Sequence, residues 1–258
     1  MKIATWNVNS IKVRLEAVKA WLKQSAPDVL CLQEIKTTDD AFPALIFEEL
    51  GYRAVTHGQK TYNGVAILSR LPLEDIRAGL PGNPDDMQAR YLEAVVGGPH
   101  PVRVASIYLP NGNPPDTDKY PYKLAWMARL KRHARELLSF EEPLVLAGDY
   151  NVIPAPEDVY DPLAWAGDAL FKQETRLAFQ ELMALGLTDA VRACTVAPKL
   201  YTFWDYQAGA WQKNNGLRID HLLLSPQAAD RLVTAGIDKA VRAWEQPSDH
   251  VPVWCELA

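Results

Sequence analysis

The apolar runs of this chain constrain its fold most, because each meets polar residues at one particular end. Ile3-Ala4-Thr5-Trp6 runs out into Asn7, Val29-Leu30-Cys31-Leu32-Gln33 into Glu34, and Leu144-Val145-Leu146-Ala147-Gly148 into Asp149-Tyr150-Asn151. Later in the chain the order reverses. Asp220 precedes His221-Leu222-Leu223-Leu224, and Asp249-His250 precede Val251-Pro252-Val253-Trp254. Short apolar runs rich in branched residues read as strands. If the two sets lie antiparallel, exits and entrances share one sheet edge. Asn7, Glu34, Asp149, Asn151, Asp220, Asp249 and His250 then meet there, the outline of a site for a metal ion and proton transfer.

Helical spacing lies between these runs. Ile11 to Ser25 has apolar residues at 11, 15, 18 and 22, with Pro27 beyond its end. Asp39 to Leu50 is a second helix, closed by Gly51. Lys119 to Phe140 carries a stripe of Leu124, Met127, Leu130, Ala134, Leu137 and Leu138, and Glu174 to Leu185 ends at Gly186. Strands with helices between them call for sheets covered by helices. Two mixed sheets face to face, with helices on each outer side, make a four-layer α/β/β/α sandwich of the α/β (α+β) class. A single doubly wound parallel sheet competes, but its sites lie only at carboxyl ends of strands. The acidic residues at strand entrances count against it.

A weak internal echo is present: Ile3 to Asn9 and Leu144 to Val152 are both apolar strands ending in an Asn-bearing tip. The reading is one domain over residues 1–258, with similar halves of about 1–140 and 141–258. A chain of 258 residues suits one large β-containing domain. Its hydrophobic content of 48% and charged content of 23% are ordinary for a globular protein. No apolar run approaches the roughly 18–20 residues of a membrane span, and the N-terminus lacks a signal-like apolar stretch. The expectation is a cytoplasmic protein without membrane contact, acting as a monomer. The three cysteines, Cys31, Cys194 and Cys255, have no zinc spacing and read as reduced thiols. A net charge of −5 argues against coating nucleic acid by bulk charge. It leaves a nuclease open, since a bound cation offsets an acidic site.

Carboxylates without a His/Cys ligand pattern favour a hard cation bound through oxygen, Mg²⁺ or Mn²⁺. Glu34, at the end of a rigid buried run, has Lys36 as a neutralising neighbour. Asp149 and Asn151, two apart, point the same way if the strand continues. The pair suits a base that activates water beside a donor that holds it, or else an Asx turn. Asp249 and His250 are adjacent on an extended chain and point differently. Asp220 can reach His250 and fix its tautomer. A histidine with a raised pKa beside a metal-bound phosphate serves as a cation in the transition state or as the acid–base group. No Gly-x-Ser-x-Gly elbow accompanies it. Tyr108 leaves a strand into the Pro110-to-Pro115 loop, where its hydroxyl could meet a phosphate. Arg129, Lys131, Arg132 and Arg135 read as a solvated helix face, and His57, His100, His133 and His221 as structural.

Taken in order, Thr5-Trp6-Asn7-Val8-Asn9-Ser10-Ile11, Leu32-Gln33-Glu34-Ile35-Lys36, Tyr62-Asn63-Gly64-Val65-Ala66, Tyr108-Leu109-Pro110-Asn111, Gly148-Asp149-Tyr150-Asn151-Val152, Gly216-Leu217-Arg218-Ile219-Asp220 and Ser248-Asp249-His250 resemble the exonuclease III family of DNA-repair nucleases. That family lies within the endonuclease/exonuclease/phosphatase superfamily, and the resemblance runs to about residue 254. It implies a DNase I-like fold and a Mg²⁺-dependent hydrolase acting on double-stranded DNA with an abasic site or a 3′ end. The implied activities are 3′→5′ exonuclease action, cleavage 5′ to abasic sites and removal of 3′ blocking groups.

By matched position, Glu34 is the principal metal ligand, with Asn7 and Asp249 in support. Asp149, Asn151 and His250 also border the metal. Asp149 is the base or proton donor, Asn151 positions water or phosphate, and His250, oriented by Asp220, polarises the phosphate. Tyr108 and Asn111 hold phosphate oxygens, while Tyr62 and Arg90 make or support DNA contacts. Phe203, Trp204 and Leu217 resemble the pocket that admits a flipped abasic sugar, where some relatives carry a tryptophan in place of Leu217. Two other readings are a phosphatase or lipid phosphodiesterase of the same superfamily and an inactive DNA-binding module. The intact carboxylate/His set counts against the second.

Overall fold

The two ends of the chain meet in one sheet. In the computed structural model, which describes residues 1–258, strand β1 (Lys2–Asn7) pairs parallel to β2 (Val29–Gln33) and antiparallel to β12 (Val253–Leu257). The first sheet is completed by β3 (Arg53–His57), β4 (Val65–Ser69) and β11 (Leu232–Ile237), in the order β11-β12-β1-β2-β4-β3. The second contains β5 (Leu73–Ala78), β6 (Tyr91–Val96), β7 (Val102–Tyr108), β8 (Leu144–Asp149), β9 (Thr188–Asp189) and β10 (Asp220–Leu224), ordered β5-β6-β7-β8-β10-β9. Each sheet has a parallel pair at its centre, β1/β2 or β7/β8, and antiparallel neighbours elsewhere. This is the facing pair of mixed sheets, and the doubly wound alternative does not apply. The sheets do not part at residue 140. The ladder between β1 and β12 draws the C-terminal strands back into the first sheet.

Side-chain alternation makes the layers. Ile3, Val29, Cys31, Val104, Val145, Ala147, Leu222 and Cys255 pack together between the sheets. Ala4, Trp6, Leu30 and Leu32 turn outward onto Val18, Trp21 and Leu22 of the helix Ile11–Ser25. On the far side Leu144, Leu146 and Leu223 meet Trp126, Met127, Leu130 and Phe179, from the helices Lys119–Leu138 and Gln173–Met183. The central strands are therefore buried on both faces, and each large side chain so buried stabilises the fold by roughly 1.5–3 kcal/mol.

The helix Ile11–Ser25 stops where Ala26 takes a left-handed conformation and its N–H reaches Leu22 O. The second helix is shorter than expected, Ala44–Glu49 rather than a start at Asp39. Asp39 accepts from Thr56 Oγ1 at 2.6 Å and Gly58 N at 2.7 Å, which ties the preceding segment to β3. Pro43 then stands at the helix start, where its missing N–H costs nothing. Arg129, expected on a solvated face, is buried against Asp86 with Nη2 at 2.5 Å. No helix is long and apolar enough to cross a membrane.

Candidate active site

Strand parity builds the site. Asn7, Asp149 and Asp220 stand at even steps from Ile3, Val145 and Leu222, so they occupy the rim of the layer between the sheets. Just beneath them a polar rung joins the sheets. Thr5 Oγ1 donates to Gln33 Oε1 at 3.1 Å, Gln33 Nε2 to Ser106 Oγ at 3.0 Å, and Ser106 Oγ to Leu32 O at 2.9 Å.

Glu34 follows the last residue of β2 with φ 50°, a left-handed conformation that costs a non-glycine residue energy and recurs at functional sites. Its backbone is held by Ser10 N donating to Glu34 O at 2.8 Å. Asn7 Nδ2 donates to Glu34 Oε1 at 2.8 Å, and Lys36 Nζ lies 2.9 Å from Oε2. Burial alone raises the carboxyl pKa, but the Lys36 charge and the Asn7 amide outweigh it and leave the group below its ordinary value. Glu34 is thus a fixed anion facing the cleft.

The same Asn7 amide donates to Asp149 Oδ2 at 2.9 Å, and Asn151 N donates to Asp149 Oδ1 at 2.9 Å. Burial pushes Asp149 up to about 7 against the pull of His250. His250 Nδ1 donates to Asp220 Oδ2 at 2.8 Å, and its Nε2 lies 3.8 Å from Asp149 Oδ2. Burial lowers the imidazole pKa, but Asp220 and Asp149 outweigh it and raise it to about 10. Thr202 Oγ1 donates to Asp220 Oδ2 at 2.6 Å, while Asp220 Oδ1 is buried without a partner. Asn111 Nδ2 donates to Asn151 Oδ1 at 3.0 Å, and Asn151 Nδ2 donates to Leu109 O at 2.9 Å.

The site opens into a cleft of about 300 Å³. Tyr108, Asn111 and Asp249 line it beside Glu34, Asp149, Asn151 and His250. Burial, with Glu34 and Asp149 nearby, holds the Tyr108 phenol well above its ordinary pKa, so it is a donor. The opposite wall is apolar: Trp165, Leu170, Phe203, Leu217 and Ile219. The Phe203 ring stands edge-on to His250 at 5.0 Å. Leu217 is buried against Ile153, Val159 and Phe171. A larger cavity of about 570 Å³ beside Gly82 and Arg132 holds no comparable set of acid, base and amide groups.

Several expectations need correction. Trp204 does not line the cleft. It is 0% exposed and packs with Trp6 and Trp21 on the outer side of the first sheet, because adjacent residues on extended chain face opposite ways. Its Nε1 donates to Asn214 Oδ1 at 3.2 Å. Asp249 and His250 both line the cleft, although adjacency suggested otherwise, since regular strand begins only at Val253. His250 commits Nδ1 to Asp220, and its Nε2 faces Asp149 at 3.8 Å. Tyr62, by contrast, is 68% exposed outside the cleft, a position open to DNA, so its expected contact needs no correction. Arg90 lies against the Tyr108 ring at 4.7 Å and donates to Tyr108 O at 3.3 Å.

Sequence reasoning missed Thr202, the apolar wall residues Trp165, Leu170 and Ile219, and Lys123. Lys123 sits between Tyr120 and Met127 on the buried stripe of its helix. A lysine on an apolar helical stripe is the signal that would have found it. Burial lowers its pKa to about 7, against the pull of Asp149 and Asp168.

The donor set fits a hard divalent cation. Glu34 is an anion, and Asn7 joins it to Asp149 through hydrogen bonds to both carboxylates. Asp149, Asp220 and His250 also place ligand atoms within 4.8 Å of one another. The Asp220–His250 hydrogen bond engages two of those groups, whereas the Glu34 carboxylate faces the cleft.

An acidic, amide-lined cleft at the edge of two facing mixed sheets defines a phosphoester-cleaving class. The chain belongs to the Endonuclease/Exonuclease/phosphatase family, whose sequence profile matches residues 4–250. Exodeoxyribonuclease III of Haemophilus influenzae is 35% identical over 266 aligned residues, covering 100% of both proteins. The 3′-5′ exonuclease NExo from Neisseria meningitidis superposes with a TM-score of 0.96 at 45% identity, over 100% of this chain and 99% of that one. A second structure of the Neisseria protein, described as 3′ phosphatase NExo bound to product DNA hairpin, gives 0.96 at 44%, with the same coverage. An AP endonuclease from Archaeoglobus fulgidus gives 0.95 at 38%, over 100% of this chain and 99% of that one.

Proposed function

We propose that this chain is a Mg²⁺-dependent DNA-repair phosphodiesterase. Its substrate is double-stranded DNA bearing an abasic site or a 3′ end. It acts as a 3′→5′ exodeoxyribonuclease, cleaves 5′ to abasic sites and removes 3′ blocking groups. All three activities break a P–O3′ bond and leave a 3′-hydroxyl, so one site serves them. The observation that carries the reading is the row Asp220–His250–Asp149, which shares its cleft with the anionic Glu34. The relatives named as nucleases, and the structure with a DNA product, support DNA as the substrate.

Glu34, supported by Asn7 and Asp249, would hold the cation, which when bound offsets charge on the phosphate. Asp149 accepts the proton of the attacking water, and its pKa of about 7 matches that task. Asn151 and Asn7 point amide groups at Asp149 and orient the water beside it. Attack is in line on phosphorus; a P–O bond to water forms, the P–O3′ bond breaks, and O3′ leaves with the bonding pair and takes a proton from solvent water to become the 3′-hydroxyl. The His250 imidazolium lies over the phosphoryl oxygen that gains charge, and Asp220 fixes its tautomer. Tyr108 and Asn111 donate to the remaining phosphate oxygens. Phe203 and Leu217 form the wall for the sugar. The cleft is complete within one chain, so a monomer suffices.

One preparation assayed in parallel on abasic, blunt and 3′-phosphoryl duplexes tests this. All three substrates should turn over with Mg²⁺ and none with chelator. Hydrolysis of inositol phosphates or sphingomyelin without turnover of any DNA would overturn the reading in favour of the lipid or phosphatase branch.

A further inference from the structure

Lys123 is the buried group whose place in the molecule packing alone does not explain. It lies on the helix that connects β7 to β8 and is 0% exposed. An uncompensated ammonium in such a place is costly, and a methionine would fill the same volume without the charge. Its hydrogen bonds run to main-chain carbonyls: Nζ donates to Asn111 O at 3.0 Å and to Asn151 O at 2.5 Å. Those residues belong to the loops leaving β7 and β8, the parallel central pair of the second sheet. Their side chains meet in the cleft, where Asn111 Nδ2 donates to Asn151 Oδ1 at 3.0 Å. Gly112, with φ 88°, makes room for the lysine stem. A Cβ there would come within 2.7 Å of Lys123 Cδ and 3.2 Å of Ala169 Cβ.

We infer that Lys123 is a positioning residue, whose ammonium clamps the two exit loops from beneath so that the Asn111 and Asn151 amides stand in register for the phosphate. Without it the two carbonyls lose their shared donor, and the Asn111 and Asn151 side chains that face the phosphate are left tied to each other and to Leu109 O only by their own amides. The inference rests on the proposed phosphodiesterase site.

The test is a cycle of Lys123→Met and Asn111→Ala, read by kcat and KM on a 3′-recessed duplex well below every variant's melting temperature. Lys123→Met keeps stem length and removes both donors. It should lower kcat about tenfold or more, as loss of an aligned transition-state donor does, with KM within about threefold of wild type. Asn111→Ala should then cost less than about half of its logarithmic effect in wild type, because its amide has already lost alignment. If Lys123→Met does not fold, Lys123→Leu, which likewise removes both donors, carries the same cycle. A lowered melting temperature with unchanged kcat, or effects that multiply independently, overturns the positioning role while the phosphodiesterase reading stands. An inactive wild type overturns both.

Discussion

Asp220 grips His250 from behind: Oδ2 lies 2.8 Å from Nδ1, and the opposite ring nitrogen faces Asp149 at 3.8 Å. The imidazole is thereby fixed as a cation directed into the cleft, with Thr202 steadying the same Asp220 oxygen at 2.6 Å. Replacing the carboxylate by an amide keeps the shape and loses the charge. Asp220→Asn should therefore lower kcat by about 10²-fold or more, within the range a positioned acid–base group contributes. KM for a 3′-recessed duplex should change little. Steady-state kinetics alongside a thermal melt check this, and near-wild-type kcat would remove Asp220 from the mechanism.

The same pair makes stability depend on pH. The folded-state pKa of His250 is raised from 6.5 to about 10. Below 6.5 both folded and unfolded chains carry the proton, and its contribution is fully present. As pH climbs from 6.5 through about 10, only the folded chain keeps the proton, so stability drains away over that window. The stability difference between wild type and His250→Gln should shrink across the same range. Denaturant unfolding in chelator reads it, and a difference that grows with pH contradicts the ion pair.

Asn7 donates to both Glu34 and Asp149, so its loss should loosen both carboxylates. Asn7→Ala is expected to raise the Mg²⁺ concentration for half-maximal activity by roughly tenfold or more, the usual cost of an orienting group beside a metal ligand. A metal titration of wild type and variant decides the point. An unchanged midpoint with full activity would separate Asn7 from the cation.

Leu217 is 1% exposed in its cluster, and Leu217→Ala should destabilise the fold by about 2–5 kcal/mol. Because Leu217 also lines the cleft, the ratio of abasic-site cleavage to 3′-end removal should shift too. Unfolding curves and paired assays measure the two effects. Trp204→Phe serves as the control: it should cost stability and leave KM for DNA unaltered, since Trp204 sits in the core.

The strand tips were readable because polar residues interrupt buried runs at fixed parity. Asn7, Asp149 and Asp220 needed only alternation and antiparallel pairing to come together. Side-chain direction beyond a strand was not readable. Phe203 and Trp204 are neighbours in a segment outside regular sheet, and nothing local says which faces the cleft. Asp249 and His250 converge because the chain bends before β12, a tertiary effect without a local marker. Lys123 escaped for another reason: a lone lysine in a charged helix resembles a surface residue until the whole stripe is laid out.

The most direct test is cleavage of an abasic duplex by wild type and Glu34→Ala, each with Mg²⁺ and with EDTA. Glu34 is the fixed anion at the end of β2, and the site as a whole is organised around it. Wild type should nick the duplex only with the metal, leaving a 3′-hydroxyl, and Glu34→Ala should lose about 10²-fold or more of that rate. Equal rates in chelator, or full activity in Glu34→Ala, would contradict a cation-dependent phosphodiesterase at this cleft.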